Sequence, residues 1–267
     1  MSLPATSAVV VTYRTGQRLR DCLYALKSDP EIAEIVLVDN GNPPEDAAWI
    51  DHFAANCPEL KLRRPGENLG FGKACNLGAR EAGGELLVFV NPDAMIRRDS
   101  VSALWEAGKH QPSPWLVGGR IFGVDGVEQR GGRRRALSWL TALGLKRWTL
   151  EREAPPVGPV PMPVVSGAFF AMPRADFLDL GGFDERYFLH VEDVDLCRSV
   201  QAAGGAVIYQ PRAGVLHYGA TSDAPSAEVA RHKADSLAWY FRKWAKGPAE
   251  HALNAVLIPL LRWWVTR

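Results

Sequence analysis

Apolar positions along the first third of the chain fall into two alternating patterns. Residues 8–13 (AVVVTY) are an unbroken apolar run of strand length, and residues 18–26 follow with Leu19, Cys22, Leu23 and Leu26 at helical spacing. Residues 35–39 (IVLVD) form a second buried strand, 46–57 a helix, Leu60–Arg63 a short strand, 71–82 a helix, and 85–90 (ELLVFV) a fourth buried strand that stops at Asn91-Pro92-Asp93. Strands that are apolar at every position need cover on both faces, and helices between them supply it, so the pattern predicts a parallel sheet in an α/β unit. Right-handed crossovers make that unit doubly wound. Such sheets take ligands beyond the carboxyl ends of their strands, where Tyr13, Asp39-Asn40 and Asn91-Pro92-Asp93 fall.

The second half has a different texture. Trp115–Phe122 is strand-like, but residues 123–135 (GVDGVEQRGGRRR) are glycine-rich and basic, and residues 151–163 carry five prolines; both read as loops, not as a domain boundary. Residues 164–172 are again strand-like, 174–180 a short helix, and 194–203 a helix preceded by Glu192 and Asp193. Residues 206–209 and 215–217 close the sheet. Near the C-terminus, ALNAVLIPLL runs into two tryptophans among Arg242, Lys243, Lys246, Arg262 and Arg267. This is short of the ~20 residues of a membrane span. It fits equally a helix packed on the domain or a basic, tryptophan-bearing segment lying on an anionic bilayer.

Composition narrows the classes. With 267 residues, 47% of them hydrophobic, the chain can bury a large core. Lys plus Arg number 31 against 30 for Asp plus Glu, so no overall field draws it to nucleic acid, and no nucleic-acid partner is expected. The four cysteines form no CxxC pair and sit in apolar or helical patterns, as reduced packing thiols do; zinc and disulfides are not expected. No basic leader precedes residue 8, and a cytoplasmic location follows as the expectation.

Five segments in order carry a resemblance: VVVTYRTGQRLRDCLYAL at 9–26, VDNGN at 38–42, ENLGFGKACNLGA at 67–79, VNPD at 90–93 and the stretch 166–222 containing VEDVDLCRSV and VLHYGATS. Together they resemble family 2 glycosyltransferases, nearest the bacterial rhamnosyltransferase-like branch, over roughly residues 8–222. The resemblance implies a GT-A fold, Rossmann-like with a doubly wound, mostly parallel sheet. Residues 1–222 would be the catalytic domain, about 1–122 the nucleotide-sugar half and 123–222 the acceptor half, with 223–267 a C-terminal helical extension. It also implies an inverting transfer from a nucleoside-diphosphate sugar, dTDP-L-rhamnose first, to a glycan or lipid-linked acceptor in cell-envelope polysaccharide synthesis, at the inner membrane face. Alternatives are another UDP- or GDP-sugar, or an inactive nucleotide-binding scaffold of the same fold.

Each site residue has a plainer reading beside the implied one. Glu192 and Asp193 alone read as acids complementing a helix N-terminus; the resemblance makes Asp193 the catalytic base and Glu192 an acceptor contact. Asn91-Pro92-Asp93 alone is a turn. The resemblance puts Mg²⁺ or Mn²⁺ there on the donor diphosphate, with Asp93 and His217 as ligands. Asn91 stands where the family often has a first aspartate, so that site lacks one carboxylate. Asp39, an Asp-Asn-Gly turn residue by itself, is by resemblance a contact to the base of the nucleotide, beside Val11 and Tyr13. Asn68, Gly70 and Phe71 read as the loop over the donor, with Asn76 on the helix behind. Gly70-x-Gly72 is no dinucleotide fingerprint, since Cys75 stands where its third glycine belongs; a nicotinamide dehydrogenase is therefore disfavoured. Arg130, Arg133, Arg134 and Arg135 form either a solvated loop or a set of forks for phosphates of the donor or of a lipid diphosphate acceptor; Arg134 is expected over the donor diphosphate.

Overall fold

A computed structural model of the protein describes residues 2–219 and 226–266. The chain opens with strand β1 (Thr6–Thr12), buried at every residue, then helix α1 (Arg18–Lys27), β2 (Glu34–Asp39), α2 (Pro44–Ala55), β3 (Leu60–Arg63), α3 (Phe71–Glu81) and β4 (Leu86–Val90). These are the elements the apolar runs predict, with ends shifted by one or two residues. Next come β5 (Ala94–Ile96), α4 (Ser100–Gly108), β6 (Trp115–Phe122), β7 (Arg133–Arg134), α5 (Trp139–Ala142), β8 (Val160–Pro161), β9 (Val164–Val165), β10 (Phe169–Pro173) and α6 (Arg174–Asp179). Helix α7 (Glu192–Ala202), β11 (Ala206–His217), α8 (Ser226–Lys243) and α9 (Gly247–Val265) complete the described chain.

One sheet runs in the order β3-β2-β1-β4-β10-β6-β11-β5, with β8 against β11. The strands β3, β2, β1 and β4 are parallel, as are β6 and β11, whereas β10 runs antiparallel between β4 and β6. The sheet is therefore α/β and mostly parallel, as expected. A strand from the second half lies between strands from the first, so the two halves share one sheet. The expected boundary at residues 222/223 lies outside the described residues.

Two strand expectations change. Residues 164–172 are not one strand: β9 pairs with β7 in a separate ribbon, and only β10 joins the main sheet. The break arises where Ser166 N–H donates to Gly132 O while Ala168 O accepts from Asn91 N–H, turning the backbone away from one partner toward the other. Conversely, 206–209 and 215–217 belong to one strand, β11, with a register shift between Gln210 and Gly214. Pro211, which has no N–H to donate, sits inside that bulge. The short β5 and helix α4 were not among the expected elements, although Val101, Leu104 and Ala107 of α4 stand at helical spacing and are buried.

Apolar side chains cover both faces of the sheet. On the α3 side, Phe89 stacks on Phe170 at 4.6 Å and meets Phe177 at 4.9 Å and Phe183 at 5.7 Å. Such pairs add about 0.5–1.5 kcal/mol each beyond area burial. All four cysteines are buried and unbonded to one another, as packing thiols. The C-terminal helices dock here too: Leu237, Ala238, Tyr240 and Phe241 of α8 enter the core, Trp139 stacks on Phe241 at 3.8 Å, and Asn254 of α9 bonds Trp139 and the Phe241 carbonyl. No described helix is long and apolar enough to cross a membrane.

Candidate active site

Beyond the carboxyl ends of β1, β2 and β4 lies a crevice of about 730 Å³. Its wall brings together Val11, Tyr13, Asn68, Gly70, Asn91, Asp93 and His217 from the sequence expectations, together with Asn40 and the first turns of α8. The loop over it is held by amides: Asn40 Nδ2 donates to Asn68 Oδ1 at 2.7 Å, and Asn40 Oδ1 accepts from Leu69 N–H at 2.9 Å. Gly70 has φ +80°, and a Cβ there would stand 2.4 Å from the Phe188 carbonyl oxygen, so only glycine lets the two loops close this wall.

The acid–imidazole pair is held from behind. His217 Nε2 is 3.1 Å from Asp93 Oδ1 and 3.1 Å from Asn91 Nδ2. Gln129 grips His217 twice: its Nε2 donates to the His217 carbonyl at 2.6 Å, and its Oε1 lies 2.7 Å from Nδ1. An amide oxygen only accepts, so this network places a ring proton on Nδ1 and leaves Nε2 directed at Asp93 and Asn91. Gly219 N–H donates to Asp93 Oδ2 at 3.0 Å. Gln129 escaped sequence reasoning, because a lone glutamine in a glycine-rich loop carries no periodic signal. Replacing Gln129 with leucine is expected to weaken divalent-cation affinity by roughly 10–100-fold, as loss of a partner behind a ligating imidazole does. Titrating Mn²⁺ against turnover checks this, and an unchanged half-saturation would contradict it.

A second cavity, of about 750 Å³, adjoins the first, and His190 lines both. Asp193 stands in it, with Oδ2 accepting from Gly167 N–H at 2.8 Å and from the guanidinium of Arg134. A Cβ at Gly167 would fall 3.0 Å from the Asp193 Cβ, so glycine permits that approach. His190 and Val191, just before α7, both have positive φ, 67° and 72°. A β-branched residue there is strained, and strain of this kind gathers at functional sites. Burial, and next the charge of Lys233, hold the His190 imidazole below its usual pKa.

Several expectations need correction. Arg134 does not line the first crevice, where the donor was expected: it lies in the second cavity, paired with Asp193 and 5.2 Å from the Trp148 ring centroid. Arg133 is no solvated loop residue but a buried, two-pronged partner of Glu128, at 2.7 and 2.9 Å. Asn76 does not line the first crevice: its amide donates to Phe183 O at 2.8 Å and to Glu185, and its oxygen accepts from Phe183 N–H at 2.8 Å, which ties α3 to the loop before α7. Asp39 is turned away as well, accepting from Gly41 and Asn42 N–H, Asn42 Nδ2 and Arg64 Nε. Burial alone would raise its pKa, but the bonds from Arg64 and Asn42 outweigh that and leave it below the usual carboxylate range. Asn40, not Asp39, reaches the crevice.

Glu192 borders the second cavity but is 7% exposed, and its Oε2 has no hydrogen-bond partner. Burial, and then the Asp193 charge, push its carboxyl up to about 8. A carboxyl whose folded pKa exceeds its unfolded value stabilises the fold fully only below the unfolded value, and that stability is lost as pH rises through the folded one. From about pH 4.5 to about 8, the wild type is therefore expected to lose stability that Glu192→Gln does not lose. Melting temperatures of both proteins across that range test the point; parallel curves would contradict it. Asp195, one turn on, is structural, bonded by Tyr187, Lys243 and Trp244.

Comparison with known proteins adds the following. The model of "Glycosyl transferase family 2" matches residues 7–181. An N-acetylglucosaminyl-diphospho-decaprenol L-rhamnosyltransferase of Mycobacterium tuberculosis is 32% identical over 93% of this chain and 89% of its own. Rhamnosyltransferase WbbL of Escherichia coli is 23% identical over 79% of this chain and 82% of its own. Among solved structures, GalNAc-T7 with UDP, GalNAc and Mn²⁺ superposes with a TM-score of 0.69 at 19% identity, over 90% of this chain and 48% of that one. Mannosyltransferase PcManGT from Pyrobaculum calidifontis, in complex with GDP-Man and Mn²⁺, gives 0.62 at 17% identity, over 100% of this chain and 73% of that one. At these identities the structural likenesses speak for the GT-A fold.

Proposed function

Because the chain belongs to glycosyl transferase family 2 and is a glycosyltransferase, we propose that it moves L-rhamnose from a dTDP donor to a lipid-linked glycan acceptor of the cell envelope, by one inverting displacement. The observation that carries this reading is two cavities meeting at His190, one holding the Asp93–His217 pair and the other Asp193. The rhamnosyltransferase relatives support the sugar, and the diphospho-decaprenol in the name of one supports the acceptor.

In this mechanism Val11, Tyr13, Asn40 and Asn68 position the nucleotide sugar in the crevice. Asp93 and His217 fit a divalent cation: a carboxylate oxygen and an imidazole nitrogen stand 3.1 Å apart, with Gln129 holding the ring. Mg²⁺ or Mn²⁺ held by these two side chains would take donor phosphates and water as its further ligands. When bound, the cation would neutralise charge developing on the departing diphosphate. From the other cavity, Asp193 takes the proton of the acceptor hydroxyl as its oxygen bonds the anomeric carbon and the bond to the diphosphate breaks. Arg134 and Gly167 N–H fix the carboxylate for that transfer.

Helix α9 supports a place on the membrane surface. Asn254, Ile258 and Leu261 face the protein, whereas Leu253, Val256, Leu260 and Trp264, spaced three and four apart, form an exposed apolar stripe near Arg262. The catalytic unit and the C-terminal helices then form a body that works from the cytoplasmic face. A UDP- or GDP-sugar donor is the second reading, favoured by the ligands of the solved neighbours. A panel of nucleotide sugars assayed for turnover, with and without chelator, tests both. The first reading requires dTDP-L-rhamnose to turn over fastest and the chelator to stop it; preference for another sugar would replace it with the second.

A further inference from the structure

The cavity around Asp193 carries more positive charge than the transfer reaction needs. Its wall includes Arg130, Lys146, Arg147, Arg152 and Lys233 besides Arg134. Arg134 is committed to Asp193, and Arg147 to Glu151 at 3.1 Å. No salt bridge among the described residues engages Arg130, Lys146, Arg152 or Lys233. Lys233 and Arg130 are exposed side chains on that same wall, and desolvation, then the Arg130 charge, lower the ammonium's pKa. Like charges on one wall repel, to a degree that solvent screens, and an anion bound between them relieves the repulsion. Deeper in, the Nε of Arg134 and the Oε2 of the nine-tenths-buried Glu192 lack hydrogen-bond partners, unfilled polar positions in the same wall.

The apolar side of the cavity has an order of its own. Trp148, Leu237, Trp264 and Val265 line it, and Trp264 also belongs to the exposed stripe of α9. From Asp193 outward, the wall thus passes from a carboxylate to unpaired cations and then to an apolar helix face. The donor's own diphosphate is accounted for in the other cavity, at Asp93 and His217.

We propose that this cavity is the binding site for the acceptor's diphosphate, with Arg130 and Lys233 as its principal phosphate contacts and the polyprenyl chain leaving along α9. This rests on the transferase reading above and adds what recognises the acceptor. Charge-assisted bonds to phosphate are strong and would select a diphosphate-linked sugar over the same sugar without it.

The test compares two acceptors: N-acetylglucosamine diphosphate carrying a ten-carbon prenyl chain, and an N-acetylglucosamine β-glycoside with an alkyl chain of equal length. The wild type should prefer the diphosphate in kcat/KM, and R130A/K233A should lower that preference by about tenfold or more, with the donor KM within twofold of wild type. Inorganic pyrophosphate should compete with the diphosphate acceptor in the wild type and much less in the variant. K233R, which keeps the charge, should retain most of the preference. An unchanged preference in R130A/K233A, or an equal KM rise for both acceptors, would overturn the proposal. A wild type that transfers to neither acceptor with any nucleotide sugar would instead overturn the function on which it rests. Circular dichroism and melting temperature of the variant separate loss of fold from loss of binding.

Discussion

Replacing Asp193 with asparagine is expected to lower kcat by about 10²-fold or more, with nucleotide binding intact, as removal of a general base does. The substitution keeps size and the contact with Gly167 N–H, but it takes the charge away from Arg134, whose side chain is 11% exposed. A buried guanidinium left without its partner destabilises a fold by several kcal/mol. The melting temperature should therefore fall too. Turnover must be measured well below that transition, with donor binding as the internal control. Asparagine within twofold of the wild-type kcat, in protein that still binds donor, would remove Asp193 from the chemistry.

The second large effect is expected at the cation. Asp93→Asn retains an oxygen for Gly219 N–H but gives up the anionic ligand opposite His217. Charge neutralisation by a bound divalent ion is worth several kcal/mol, so a loss of roughly 10² or more in kcat/KM is predicted. His217→Ala should lose a comparable amount. Asn91 sets the scale of both: with an amide near His217 where a carboxylate would otherwise stand, Asp93 is the acid paired with the imidazole among the described residues. Turnover by Asp93→Asn that equals wild type and resists chelator would rule out the cation site.

The parallel sheet was legible because its strands are apolar at every position and punctuated by turn residues; Val9, Val36 and Val88 are each fully buried. The wall of the crevice was legible for the same reason, since Tyr13, Asn40, Asn91 and Asp93 stand at or just past the ends of those strands. What failed depended on contacts distant in sequence. Asn76 lies in a motif, yet its amide is saturated by a loop 107 residues on, and nothing in its neighbours predicts that. Arg134, expected over the donor diphosphate, instead lies in the second cavity on the Asp193 carboxylate, a partner 59 residues away that its own neighbours do not announce. Asp39 illustrates a competition that local sequence states but cannot decide: its turn bonds and Arg64 claimed the carboxylate, and the neighbouring Asn40 took the crevice.

Spacing alone made Asp193 an acid at the start of a helix, and α7 does begin at Glu192, so the helix-terminus reading holds alongside the proposed one. What favours the base is location: a cavity shared with several cations, meeting the first crevice at the strained His190-Val191 turn.

The anomeric configuration of the product tests the central claim most directly. A carboxylate that only takes a proton, with no enzyme nucleophile bonded to the sugar, requires attack opposite the leaving diphosphate. The nuclear magnetic resonance spectrum of the isolated product, read at the anomeric carbon, should show the configuration opposite to that of the nucleotide sugar. Retention would contradict the account, because it demands a covalent or same-face step that Asp193 as a base does not provide.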